Sequence, residues 1–142
     1  MIVYRLDTLF APRSIALVGG SPREGSLGRI ILKNLREAGF AGPIHVINDR
    51  HPEIGGLPTV KSIEDLQVTP DIVVVSAPVY AVPKIVADAG KKGVAGAVVV
   101  SAGLGHGPSS LAEQANTAAR AHGLRVIGPN GLGIMVPRAK AC

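Results

Sequence analysis

The segment 19–29, "GGSPREGSLGR", brings together glycines at 19, 20, 25 and 28, serines at 21 and 26, and arginines at 23 and 29. Glycine lets backbone amides approach an anion without Cβ interference. A helix opening near Ser26 would direct its positive end at that anion. Arginine grips phosphate through paired hydrogen bonds. The chemistry these residue types suit is phosphate binding. The same glycines would also serve a tight turn and close helix–strand packing, but a purely structural turn has no need of so long a loop. Which phosphate is not specified. The dinucleotide fingerprint G-x-G-x-x-G fails, because Gly19 and Gly20 are adjacent and the next glycines stand at 25 and 28. The acid expected at the end of the second strand is displaced, since Asn48 ends that run and Asp49 and Arg50 follow. The G-x-x-x-x-G-K-[ST] pattern is absent.

No other set of residues suggests catalysis. There is no Ser–His–acid candidate and no carboxylate pair at one strand end. The one cysteine, Cys142, excludes a disulfide framework or a cysteine-based zinc site within the chain. His45, His51 and His122 show no metal-ligand spacing, and His106, between two glycines, reads as a surface residue. Asn130 in "GPNG" has an amide that would serve a carbonyl or phosphate, or equally the backbone of its own turn. Taken alone, the domain is expected to bind and not to turn over.

The elements that must position the loop are legible. The runs at 14–20, 43–48, 71–78, 95–103 and 124–130 read as strands, each continuously apolar as in a sheet covered on both faces. Residues 26–38, 79–92 and 109–122 read as helices, closed by Gly39, Gly93 and Gly123. Within 51–69 only a short helix around 62–66, capped by Ser62, is predicted. Strand–helix alternation implies right-handed crossovers and an α/β, Rossmann-like, doubly wound parallel sheet in three layers, with expected strand order 3-2-1-4-5. Ligands of such sheets bind beyond the carboxyl ends of the strands. There the topology gathers "GGSPREGSLG", "NDR", "SAPVY", "SAGLGHG" and "GPNGLG".

Composition bounds the rest. A chain of 142 residues is one domain with room for a real core. It has no Trp and only two each of Tyr and Phe, so the core must be aliphatic, and the scarcity argues against an aromatic stacking platform for single-stranded nucleic acid. The net charge of +5 is spread along the chain, which suits a small polyanion as well as a merely soluble surface. No segment reads as a signal peptide or membrane span, and a cytoplasmic protein is expected.

In order and spacing, "PRSIALVGGSPREGSLGRIILKNLREAGFAGPIHVIN", "DIVVVSAP", "GVAGAVVVSAGLGHG" and "LRVIGPNGLGIMVPR" resemble the CoA-binding domain of NDP-forming acyl-CoA synthetases, a superfamily that includes the succinyl-CoA synthetase α subunit. The "SAGLGHGP" and "GPNGLGIMVPR" wording resembles most the branch fused to protein lysine acetyltransferases. The resemblance implies coenzyme A or acyl-CoA as ligand and further domains of a longer polypeptide as partners, with neither nucleic acid nor membrane. It carries the CoA phosphates onto Gly20, Ser21, Arg23, Gly25, Ser26, Gly28 and Arg29. The family's V-N-P-K corner falls on Ile47, Asn48, Asp49 and Arg50, where an aspartate replaces proline and Arg50 keeps the charge with a different geometry. The pantetheine path falls on Ala77 and Pro78, with Tyr80 and Val82 nearby, then on Ser101, Ala102 and Gly103; Asn130 completes the set. Where synthetases commonly carry a glutamate, this chain has His106. An NAD(P)-binding domain of a dehydrogenase or redox sensor and a stand-alone regulatory CoA-binding protein are the alternatives.

Overall fold

The five apolar runs each condense into a short strand in a computed structural model, which describes residues 5–129. In chain order the elements are α1 (Leu6–Phe10), β1 (Ile15–Val18), α2 (Leu27–Glu37), β2 (Ile44–Ile47), β3 (Glu53–Ile54), β4 (Leu57–Val60), β5 (Ile72–Val75), α3 (Val82–Lys92), β6 (Gly96–Val99), α4 (Leu111–His122) and β7 (Arg125–Ile127). Single 3₁₀ turns stand at Ile63–Asp65 and Val79–Ala81.

The sheet order is β3-β4-β2-β1-β5-β6-β7, parallel throughout except for the antiparallel β3–β4 pair. The doubly wound class is as expected, but the strand order differs. The 71–78 run does not lie outside β2; it pairs with β1, Ile15 opposite Ile72 and Val18 opposite Val75. The place beside β2 is taken by β4, with Val46 opposite Thr59 and Ile47 opposite Val60. The sequence hides β4 because Pro58 interrupts a four-residue run, and proline belongs to sheet margins.

Continuous apolar runs are needed because successive side chains of a strand enter opposite cores. Ala16 and Val18 of β1 join Val73, Val75, Ala97 and Val99 against α3 and α4. Ile15 and Leu17 join Val46, Ile72, Val74 and Val98 against Leu32 and Leu35 of α2 and Leu9 of α1. Helices α3 and α4 approach so closely that a Cβ on Gly90 would lie 2.7 Å from that of His122.

Helix ends follow the sequence signals. Ser26 and Ser110 cap α2 and α4, accepting from the amides of Arg29 at 3.3 Å and Glu113 at 3.1 Å. Helices α2, α3 and α4 close through left-handed glycines, Gly39, Gly93 and Gly123 respectively. The residue after each glycine returns its amide to the carbonyl five back: Phe40 to Leu35, Val94 to Ala89, and Leu124 to Ala119. The anticipated helix at 62–66 is only a 3₁₀ turn. Ser62 caps no amide there; its hydroxyl donates to the Asp65 carboxylate at 3.1 Å.

Candidate functional site

The carboxyl ends of β1, β2, β5 and β6 open onto one rim. The loop after β1 rises from Gly19 and Gly20 and is folded by its own side chains. The Ser21 hydroxyl accepts from the Arg23 amide at 3.1 Å, the Ser26 hydroxyl donates to the Arg23 carbonyl at 2.8 Å, and Arg29 Nη1 donates to the Pro22 carbonyl at 3.3 Å. Gly25 has φ +75°, with no atom within 4 Å of where a Cβ would stand. Gly28 is glycine for a different reason. A Cβ there would collide with the Gly19 carbonyl oxygen and stand 3.0 Å from the Gly20 Cα, so α2 enters the sheet edge with its first turn against the loop. Of the first-turn amides that a helix leaves unpaired, Ser26 takes that of Arg29, leaving those of Leu27 and Gly28 for another acceptor.

Charge at the rim is positive and exposed. Arg23, Arg29 and Arg50 are all solvent-facing, and Arg50 has only a loose 4.0 Å pairing with Asp49. An exposed pair at that distance holds weakly, and a polyanion would compete with it.

The remaining expected residues fall into two groups. Pro78, Tyr80, Ala102 and Gly103 are exposed and Ala77 is half-buried, so these strand-end segments offer surface to a ligand; Tyr80 is 77% exposed on the 3₁₀ turn ahead of α3. Three expected contacts have other duties. Val82 is 0% exposed and packs in the α3–α4 core, so its side chain has no surface to offer a ligand. The Asn48 amide nitrogen donates to the Gly20 carbonyl at 2.7 Å, while its oxygen accepts from the amides of Arg50 at 2.7 Å and His51 at 2.8 Å. Ser101 is 7% exposed and donates to the Ala77 carbonyl at 2.6 Å. Asn130 lies outside the described residues. His106 is exposed.

Sequence reasoning passed over Ser76. It follows β5 directly and donates to the carbonyls of Val18 and Gly19, each at 3.2 Å. A hydroxyl residue ending a β-branched strand was the available signal. Among the described residues, no group of three or more His, Cys, Asp or Glu side chains is placed to hold a metal ion, and no helix is long and apolar enough to cross a membrane.

The fold is shared with known proteins. A family described as a CoA binding domain matches residues 13–137. An ADP-forming acetate–CoA ligase of Methanocaldococcus jannaschii is 40% identical over 133 residues, covering 93% of this chain and 19% of that protein. The α subunit of ADP-forming acetate–CoA ligase I of Pyrococcus furiosus is 34% identical, over 95% of this chain and 31% of its own. The solved structure of a dinucleotide-forming acetyl-coenzyme A synthetase of Ca. Korarchaeum cryptofilum, in complex with phosphate and ADP, superposes with TM-score 0.88 at 35% identity, covering 98% of this chain and 30% of that one. The chain therefore spans between about a fifth and a third of the length of these relatives.

Proposed function

The chain belongs to the CoA binding domain family, and from that premise we propose that it is the coenzyme A or acyl-CoA module of an ADP-forming acyl-CoA synthetase. One observation carries the reading. The Asn48–Gly20 hydrogen bond joins the turn that carries the exposed Arg50 to the loop after β1, which carries the exposed Arg23 and leads into the capped first turn of α2 with Arg29. Coenzyme A supplies the matching polyanion, a diphosphate and a 3′-phosphate. The loop amides and the arginines would hold those phosphates. Ala77, Pro78, Tyr80, Ala102 and Gly103 would border the pantetheine arm. The chemistry the coenzyme supplies when bound is a thiol that carries an acyl group as a thioester. This chain's part is to bind and orient it for domains that the longer relatives carry.

A nicotinamide dinucleotide is not favoured, because the named relatives are CoA ligases and the glycine spacing departs from the dinucleotide fingerprint. A stand-alone regulatory protein is not favoured either, since those relatives are longer proteins. The "SAGLGHGP" wording, with His106 where synthetases commonly carry a glutamate, supports a second reading in which the parent is an acetyltransferase-fused homologue.

The test is calorimetric titration with CoA, dephospho-CoA, NAD and NADP at low salt. Coenzyme A should bind more tightly than dephospho-CoA. Arg23→Ala or Arg29→Ala should each weaken CoA about tenfold, the worth of one charge-assisted hydrogen bond at an exposed site. Binding of NAD without a CoA response would overturn the proposal.

A further inference from the structure

The rim is tied sideways by side chains. Past the last ladder pairs, Val18 with Ile47 and Val75 and then Val75 with Val99, one more backbone bond follows at each seam, from the amides of Gly19 to Ile47 at 3.4 Å, Ser76 to Val18 at 2.9 Å and Val100 to Val75 at 3.0 Å, and side chains add to them. Three donors work there. Asn48, past β2, donates to the Gly20 carbonyl at 2.7 Å. Ser76, past β5, donates to the Val18 and Gly19 carbonyls at 3.2 Å each. Ser101, past β6, donates to the Ala77 carbonyl at 2.6 Å. Each donor stands at one strand's end, and each acceptor is backbone at the end of the neighbouring strand. The loop after β1 is gripped from both sides, and the loop after β5 from one.

We infer that Asn48, Ser76 and Ser101 are positioning residues, a lateral hydrogen-bonded belt that sets the ligand-facing backbone of the β1 and β5 loops before a ligand arrives. Loops bind weakly when they must be ordered on binding, and contacts that order them beforehand recover affinity without touching the ligand. The belt has that character. Ser101 is buried with its hydroxyl committed to Ala77, so it acts through the loop it holds. Asn48 also turns its own loop through the amides of Arg50 and His51, so one side chain sets the Gly20 carbonyl and the Arg50 backbone together.

The consequence for affinity rests on the proposed coenzyme A reading, while the belt itself is tested without any ligand. Amide hydrogen exchange would be followed in the parent domain and in Ser76→Ala, Ser101→Ala and Asn48→Asp. The aspartate still accepts from the Arg50 and His51 amides but has no proton for Gly20, so it cuts one tie and leaves the turn. Asn48→Asp and Ser76→Ala should speed exchange across 20–26, and Ser101→Ala across 77–81, by about tenfold, the scale of one buried hydrogen bond. Strand amides should keep their protection, which excludes global unfolding. Ser101→Ala should weaken CoA about threefold to tenfold, and Ser101→Thr, which restores the hydroxyl, should recover part of the loss. Lowered CoA affinity with unchanged exchange in the free protein would make these residues direct ligand contacts and overturn the belt. Unchanged exchange and unchanged affinity would overturn it as well. If the parent domain gives no heat with coenzyme A, the proposed function fails, and the exchange data alone decide for or against the belt.

Discussion

Replacing Gly28 by alanine sets two physical effects of opposite sign against each other. Glycine inside a helix costs about 1 kcal/mol relative to alanine, so propensity alone predicts that Gly28→Ala stabilises the domain by about that amount. Packing predicts the reverse. The new Cβ would collide with the Gly19 carbonyl oxygen and stand 3.0 Å from the Gly20 Cα, and both obstacles are backbone that cannot rotate aside. To admit a methyl group, either the first turn of α2 must lift from the sheet or the loop after β1 must move. Overpacking of that kind costs about 1–3 kcal/mol, more when rigid atoms are met. After the propensity gain is subtracted, a net loss of up to about 2 kcal/mol is expected. Urea denaturation reads it directly: the midpoint falls while the slope is unchanged. Because the displaced atoms are those of the loop proposed to hold the phosphates, coenzyme A affinity should fall too. A variant more stable than the parent would show that the helix does not abut the loop, and the assignment of Gly28 to close packing would be refuted.

Other expectations follow from the same geometry. Ser26→Ala removes the cap of α2 and the tie to the Arg23 carbonyl, and should cost about 1 kcal/mol in chemical denaturation. Val82→Ala should destabilise by about 2 kcal/mol and leave the coenzyme A dissociation constant unchanged, because the side chain is core; a large affinity loss at unchanged stability would return Val82 to the binding surface. Arg50→Ala should weaken coenzyme A and flatten the salt dependence of its binding in calorimetry between low and moderate ionic strength. Ser62→Ala, which loses only a contact to Asp65, should shift the urea midpoint by less than about 0.5 kcal/mol equivalent.

Much of the architecture was written in local patterns. The continuous Val/Ile/Ala runs read as strands, and Gly39, Gly93 and Gly123 marked three helix ends because glycine readily takes the left-handed conformation that closes a helix. The glycine, serine and arginine content of 19–29 suggested an anion-binding loop, and the opening of a helix near Ser26 was readable there, where the structure puts the cap of α2. These features depend on neighbours a few residues away, and such neighbours are what a sequence displays. Strand β4 escaped because Pro58 breaks a run whose partner, β2, supplies the reason for it to be extended. Whether a residue near the rim meets solvent, core or backbone was decided only in three dimensions. Val82 turned inward because α3 packs that side against α4, Asn48 and Ser101 spent their polar groups on neighbouring loops, and Ser76 gained a role from carbonyls 57 and 58 residues away. Residue type and short-range spacing determined which chemistry this chain offers. The convergence of strand ends decided which side chains remain free to perform it, because a buried or tied polar group must satisfy the protein before it can serve a ligand.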